Sequence, residues 1–355
     1  MTNRNGIWET TLKIIILAST AAGVLFSNGC GVPSPGPRLG SYATNTVGTN
    51  FLDLKSMGRH SFGSGWFEKN GIVYTCKGGH VDIAHARISA DNVRYLQDKS
   101  KRNLESKNHE FDFKLKVEPS VYYVKLEYPL HWNKLSGKER RKIIDEVSME
   151  MGEYFTYIMT TWHEVITWFG FKSMAIIPEQ PSAFSWEDIY SNVFGIQIGA
   201  QALRDKSHDY DTAATIAFRK ELEDLGIQSA KTARKASEKM RRIWWAGVLL
   251  VDMKVRNTDV GVDDGYVSPM LVPEVCEGAE AKPCPIPKLE KFHKHGFALY
   301  LTVAPKEYER DKILKVIYPD SAAPEKIQPD KHLPVVIDYI NKQIAARQNK
   351  EQPEN

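Results

Sequence analysis

The chain has little net charge. Lysine plus arginine exceed aspartate plus glutamate by only 3, and charged residues make up 26% of the total. Neither sign dominates, which removes any bulk electrostatic case for nucleic acid as a partner. After the first thirty residues no apolar stretch reaches eighteen. The best candidate, Ile243–Val251, is too short to cross a bilayer and reads as a buried segment. No internal repeat appears, which sets solenoids and propellers aside. Cysteine is scarce, with 4 in 355 residues, so a disulfide-built scaffold is excluded. The pair His163-Glu164 lacks a second histidine four places after the first, where Thr167 stands, so a helical zinc-protease site is excluded too.

What is present begins with an address. Arg4 and Lys13 flank a polar start, and Ile14–Phe26 is a thirteen-residue, mostly apolar core of signal-peptide length. Ser27-Asn-Gly-Cys30 follows, then the Pro/Gly stretch Gly31-Val-Pro-Ser-Pro-Gly-Pro. A small residue before a lone cysteine and a Pro/Gly tether resembles the bacterial lipoprotein signal. In that pattern Cys30 becomes the lipidated N-terminus, and Gly31 after it implies the outer membrane. Ser27 departs from the pattern, which favours leucine there. The expected organisation is therefore 1–30 signal, 31–48 flexible tether, 49–347 a single domain and 348–355 a polar tail. In an oxidising compartment Cys276 and Cys284, enclosing a Pro-rich loop, are expected to pair, leaving Cys76 as a buried free thiol.

The mature chain of about 325 residues can bury a substantial core. Strand readings are Ile72–Cys76, Val81–Ile88, Phe111–Val117 and Val121–Tyr128, with Ala298–Ala304 and Ile313–Tyr318 near the far end. Between them lie helices. One opens on the capping box Ser136-Gly-Lys-Glu139 and stops at Gly170. A second opens at Ser185-Trp-Glu-Asp188, and others cover Asp211–Leu225 and Ser229–Lys254. Ser89 is read as the cap of a helix after the second strand, and Gln97–Asn108 as a connection. A final helix spans Pro334–Arg347. This order predicts an α+β fold, with antiparallel strands at both ends of the chain packed against a central group of long helices.

Chemistry concentrates at the join of the two central helices. On a strand, Val81, Ile83, His85 and Arg87 share one face, so His85 and Arg87 need buried partners, for which Glu164 or Asp188 would serve. A structural ion pair locking strand to helix is the plainer reading of any single pair. Ser191 is a nucleophile if His85 lies within reach. Asp188 and Asn192 project together, and Gly195 and Gly199 invite close approach of another element. A divalent metal could be assembled from His60, His85 and a carboxylate. The basic run Lys231–Arg242 beside Trp244 and Trp245 reads as a solvated half-helix.

The residues Gly79-His-Val-Asp82-Ile-Ala-His85-Ala-Arg87, Glu164-Val-Ile-Thr-Trp168, Ser182-Ala-Phe-Ser-Trp-Glu-Asp188-Ile-Tyr-Ser-Asn192 and Gly58-Arg-His60 together resemble a family of bacterial envelope lipoproteins catalogued only as a domain of unknown function. The resemblance covers most of the mature chain and implies an exported, lipid-anchored protein. Its repeated polar positions are Asp82, His85, Arg87, Glu164, Asp188, Ser191 and Asn192. A weaker likeness, through Gly79-His80-Val, is to permuted papain-like hydrolases and acyltransferases. Those enzymes take a cysteine from a helix N-terminus, and this chain has none there. Two functions follow as expectations. One is a hydrolase or transferase acting on an envelope substrate, with His85 as acid/base and Asp82, Arg87 and Asn192 binding. The other is a non-catalytic module that binds an envelope component.

Overall fold

The computed structural model describes residues 31–116, 118–173, 177–178, 180–248, 251–319 and 324–351. Cys30 and the expected signal segment lie outside the described residues. The architecture is mixed α+β, with small antiparallel sheets near both ends of the chain and long helices in its centre.

Helix α1 runs from Ile83 to Glu105, directly after the hairpin Ile72–Thr75/Gly79–Asp82. The strand expected to Ile88 therefore stops at Asp82. Its side chain caps the helix by accepting from the Ala84 amide at 2.7 Å, so the cap is Asp82 and not Ser89. Alanines at 84, 86 and 90 favour the helix. Burial on several sides hides its period from a search for an amphipathic stripe. The helix also absorbs most of the stretch read as a connection.

Helix α2 spans Gly137–Phe169, with both halves of the Ser136/Glu139 capping box formed and Gly170 left-handed at its C-terminus. Helix α3 spans Asp188–Arg204. The reason for two interior glycines in α3 is now explicit. A Cβ on Gly195 would sit 2.1 Å from the Ala86 carbonyl oxygen, and one on Gly199 would sit 2.6 Å from that of Ala90. α1 and α3 thus meet backbone to backbone along a small-residue seam, which offsets the roughly 1 kcal/mol that each helical glycine costs. Gly195→Ala is expected to destabilise by at least about 3 kcal/mol, because the obstacle is backbone and not a movable side chain. A urea midpoint unchanged from wild type would contradict the seam.

The other sheet joins distant parts of the chain. Ala298–Ala304 pairs antiparallel with Val121–Glu127, which pairs with Glu110–Phe113. Phe113 stacks on Tyr122 at 4.7 Å and leans on Phe155 of α2, which fastens sheet to helix. Ile313–Tyr318, expected as a strand, lies mostly in the helix Arg310–Ile317. On the free edge of Ala298–Ala304, Val303 bridges Ile327 instead. The helix expected over Ser229–Lys254 ends at Lys239. Arg242 then turns the chain at positive φ into the small hairpin Trp245–Ala246/Asp252–Met253.

The expected disulfide is corrected. Cys276 bonds Cys76, 200 residues away, and Cys284 is the buried free thiol. Cys76 follows the first hairpin strand, whose turn carries the chain to the 270s: Lys77 accepts from the Lys282 amide at 2.8 Å. Cys284 instead sits in the short strand Cys284–Pro285, paired with Tyr266–Val267 and turned toward Gln197.

Candidate functional site

Because Asp82 begins α1, His85 lies one turn inside it, and the two side chains meet. Nδ1 of His85 is 2.8 Å from Oδ2 of Asp82 and 3.7 Å from Oδ1 of Asp188. The helix also separates His85 from Arg87. Two residues apart on a strand share a face, but on a helix they point about 200° apart. Arg87 accordingly leaves the site. It donates to the carbonyls of Met57 and Lys69 and to Asn70 Oδ1, at 2.9–3.0 Å, and is fully buried.

Glu164 comes from the end of α2 and Asp188 from the start of α3, and both are buried. Glu164 accepts the Phe184 amide at 2.9 Å, and Asp188 the Ser185 amide at 2.9 Å, so each also braces the segment between the two helices. Glu187 adds a fourth buried carboxylate. One of its oxygens accepts the Ala43 amide at 2.8 Å, and the other has no hydrogen-bond partner. Asp82, His85, Glu164, Glu187 and Asp188 therefore form one cluster, of which the imidazole reaches solvent with 22% of its side chain exposed. His163, on the adjacent face of α2, turns away to Glu118 at 2.6 Å.

The electrostatics follow from crowding four carboxylates in a poorly solvated place. Burial pushes the Glu187 carboxyl up to about 7. Burial, and then the neighbouring Glu164, hold Asp188 well above the ordinary carboxylate range, with His85 opposing. Burial works against the His85 imidazolium, but Asp82, Asp188 and Glu164 outweigh it and keep its pKa well above the ordinary value. A partner cation comes from Arg256, which donates to the Ala183 carbonyl and lies 5.7 Å from the Trp168 ring centroid. Burial lowers its pKa to about 10 while Asp188 supports the charge.

These shifts fix the sign of a pH effect. A carboxyl raised by folding favours the protonated fold, so its contribution is complete below the unfolded value and is lost as pH rises through the folded one. For Glu187 that window runs from about 4.5 to about 7. The raised imidazole acts in the same direction, losing its contribution as pH rises through its folded pKa. Stability is expected to fall across the Glu187 window, and Glu187→Gln to flatten the fall. Urea titrations at several pH values check this, and an equal slope in the variant would assign the effect elsewhere.

The remaining sequence candidates serve as struts. The Ser191 hydroxyl donates to the Glu187 carbonyl at 2.6 Å and accepts the Asp82 amide at 2.9 Å, fully buried, so it is not presented as a nucleophile. Asn192 accepts from the Ser89 hydroxyl at 3.1 Å. His60 belongs to a separate buried network, 2.9 Å from Asp91, which also holds Arg38. His60 and His85 thus do not share a site, and among the described residues no group of three or more His, Cys, Asp or Glu is placed to hold a metal ion.

Sequence reading missed Glu187, Arg256 and the covering segment. Glu187 stands beside the first turn of α3, where an acidic residue suits the helix dipole without any function, and Arg256 stands alone just beyond the stretch read as a helix to Lys254. Residues 31–48, read as tether, are bonded to the domain. The amide of Val32 donates to Asp98, Arg38 pairs with Glu68, and the Ser41 amide donates to Asp82 Oδ2 at 2.9 Å. Gly40 passes so close to His85 that a Cβ there would meet the ring at 3.0 Å. With residues 31–48 packed there, the His85 side chain stays 22% exposed.

No curated protein and no solved structure matches the chain. Residues 42–255, a span that holds His85 and its four carboxylates but stops just short of Arg256, match the model of DUF4056, a protein of unknown function, and the chain belongs to that family.

Proposed function

We propose that this protein is an exported lipoprotein, anchored in the bacterial envelope through Cys30, that acts as a hydrolase or transferase on an envelope substrate. His85 is the general acid/base. Asp82 orients its ring, Glu187 and Asp188 form the buried proton reservoir behind it, and Glu164 supplies neighbouring charge that raises Asp188. The observation that carries the reading is one solvent-reaching imidazole backed by four buried carboxylates, two of them with raised proton affinity. Crowding that costs stability and holds a buried carboxyl at about 7 behind a solvent-reaching imidazole suits acid/base chemistry near neutrality. A nucleophilic Ser191 is not part of the proposal; water or a substrate hydroxyl takes that place.

The second reading is a latch that binds without catalysis. It is favoured by the strap, since Ser41 and Ala43 donate to Asp82 and Glu187. The two separate on His85, which bonds Asp82 without being needed for either strap contact. His85→Gln, which keeps a hydrogen-bonding group beside Asp82, is expected to fold with a modestly lowered melting temperature, because the imidazolium's attraction for the carboxylates is lost, and to fail to complement a deletion strain. Full complementation would overturn the acid/base assignment. The anchor is tested apart from the chemistry by mass spectrometry of the mature N-terminus, where a terminal residue other than lipidated Cys30 excludes it.

A further inference from the structure

Trp66 and Phe67 are 99% and 83% exposed, and Leu39 is 85% exposed. Large apolar side chains scattered singly on a surface call for no explanation, but two adjacent aromatics at one loop tip do. The loop is not loose. Glu68 closes its base by accepting the Ser61 amide at 2.8 Å and both Arg38 nitrogens, Nε at 2.8 Å and Nη2 at 3.0 Å. Arg38 Nη2 also donates to the Ser61 carbonyl at 2.8 Å. Arg38, Glu68 and Asp91 are buried together, so the base is an ion-paired clamp and the tip is held out from it. Gly63 and Ser64, both at positive φ, turn the chain toward that tip.

We infer that this loop inserts into the surface of a phospholipid bilayer. The inference rests on the anchored reading above and adds a second point of membrane contact. The first support is where the undescribed part of the chain joins the described part. Residues 1–30, with the apolar core Ile14–Phe26 and Cys30, lead into Val32. The chain then passes the loop, where a Cβ on Gly36 would lie 3.0 Å from the Gly63 carbonyl oxygen. Cys30 is six residues before Gly36, a reach of at most about 21 Å at roughly 3.5 Å per residue. A bilayer that holds Cys30 is therefore within reach of the tip, and Leu39, next to the clamping Arg38, lies on the same stretch.

The second support is charge. Of the acidic groups at this loop, Glu68 is consumed in the buried clamp, Asp211 accepts the Phe62 amide and Asp53 accepts the Ser56 amide, while Lys55, Arg59 and Lys69 are exposed. An apolar aromatic tip on a stretch that exposes three cations suits an anionic phospholipid surface, where tryptophan takes the interfacial level and lysine and arginine meet headgroups. An anchor at one residue holds the domain near the membrane without fixing its orientation. A second contact fixes which side of the domain faces the membrane.

The test uses the full-length protein, purified from membranes and reconstituted in vesicles of phosphatidylethanolamine and phosphatidylglycerol. A nitroxide is attached at Trp66→Cys and, as a control, at Lys235→Cys on the exposed side of the helix Ala230–Lys239. The proposal expects the position-66 label to relax faster with oxygen than with a water-soluble nickel chelate, and the position-235 label to show the reverse. Equal nickel access at both positions overturns it. So does a label at 66 shielded from both reagents with short label-to-label distances, which would make the tip an interface between copies. Mass spectrometry of the same preparation separates the two readings. A lipid on Cys30 with the position-66 label in water sinks the loop and spares the anchor; the label in lipid without a lipid on Cys30 does the opposite. Trp66→Ser with Phe67→Ser, whose melt should match wild type, is expected to lower vesicle partitioning of any unlipidated fraction at least about tenfold.

Discussion

Replacing Cys76 and Cys276 together by serine is expected to lower stability by about 4–5 kcal/mol. The bridge spans 200 residues of sequence, and the chain-entropy account of so long a loop gives about 5 kcal/mol, near the top of what native disulfides contribute. A Cys276–Cys284 link would close a short loop and contribute about 2–3 kcal/mol on the same account. The location matters as much as the length. Cys76 stands where the first hairpin leaves its strand, with its amide bonded to the Gly226 carbonyl at 3.1 Å, so the bridge ties a segment that already has fixed partners. For a domain of this size the loss corresponds to roughly 10 °C in melting temperature. Cys284 offers no substitute, since its thiol is buried and burial pushes its pKa up to about 11, away from the reactive thiolate. Peptide mapping of unreduced protein should recover Cys76 joined to Cys276. A Cys276–Cys284 peptide, or a melt unmoved by the double substitution, would contradict the bridge.

That bridge also shows what a sequence can and cannot disclose. The capping box at Ser136 and the left-handed Gly170 are local devices, each decided within four residues, and both ends of α2 were legible. Gly195 and Gly199 announced a close approach without saying to what, because the facing Ala86 and Ala90 are unremarkable as text. Disulfide pairing is decided by where the chain returns after 200 residues, and no spacing rule contains that. The strand reading of Val81–Ile88 failed because β-branched residues and alternation were visible, while the deciding feature was Asp82 turning back to cap Ala84. That one misassignment changed the site. A strand would have set Arg87 beside His85, whereas the helix substitutes Asp82 for it. That Asp188 and Glu164 come near His85 follows from helix ends that flank one loop, which the two caps made readable. The strap was not, since a Pro/Gly-rich stretch reads as tether whether or not its amides find acceptors.

Glu164→Gln and Asp188→Asn are expected to fold normally, with melting temperatures at or above wild type, and to lose function by at least about 100-fold. The structure sharpens the reason. In a structural ion pair each charge needs the other, and stranding one costs roughly 3–5 kcal/mol. Here the negative charges outnumber the cations close to them, and Asp188 is already held well above the ordinary carboxylate range by burial and by Glu164. The folded state thus favours Asp188 in its protonated form, which asparagine resembles in charge and shape. Asparagine also keeps an oxygen for the Ser185 amide, as glutamine at 164 does for the Phe184 amide. Asparagine at 188 spares the cost of protonating a buried carboxyl on folding, and glutamine at 164 removes a charge that crowds it, so the stability change should be small or favourable. What each removes from the proposed chemistry is the capacity to exchange a proton with His85 or to hold its ring charged, and that loss is not repaired elsewhere in the cluster. Thermal melts of the two variants, run beside complementation of a deletion strain, decide between the readings. Marked destabilisation of both proteins would identify the cluster as a latch for the N-terminal strap, with His85 exposed at its edge by packing alone.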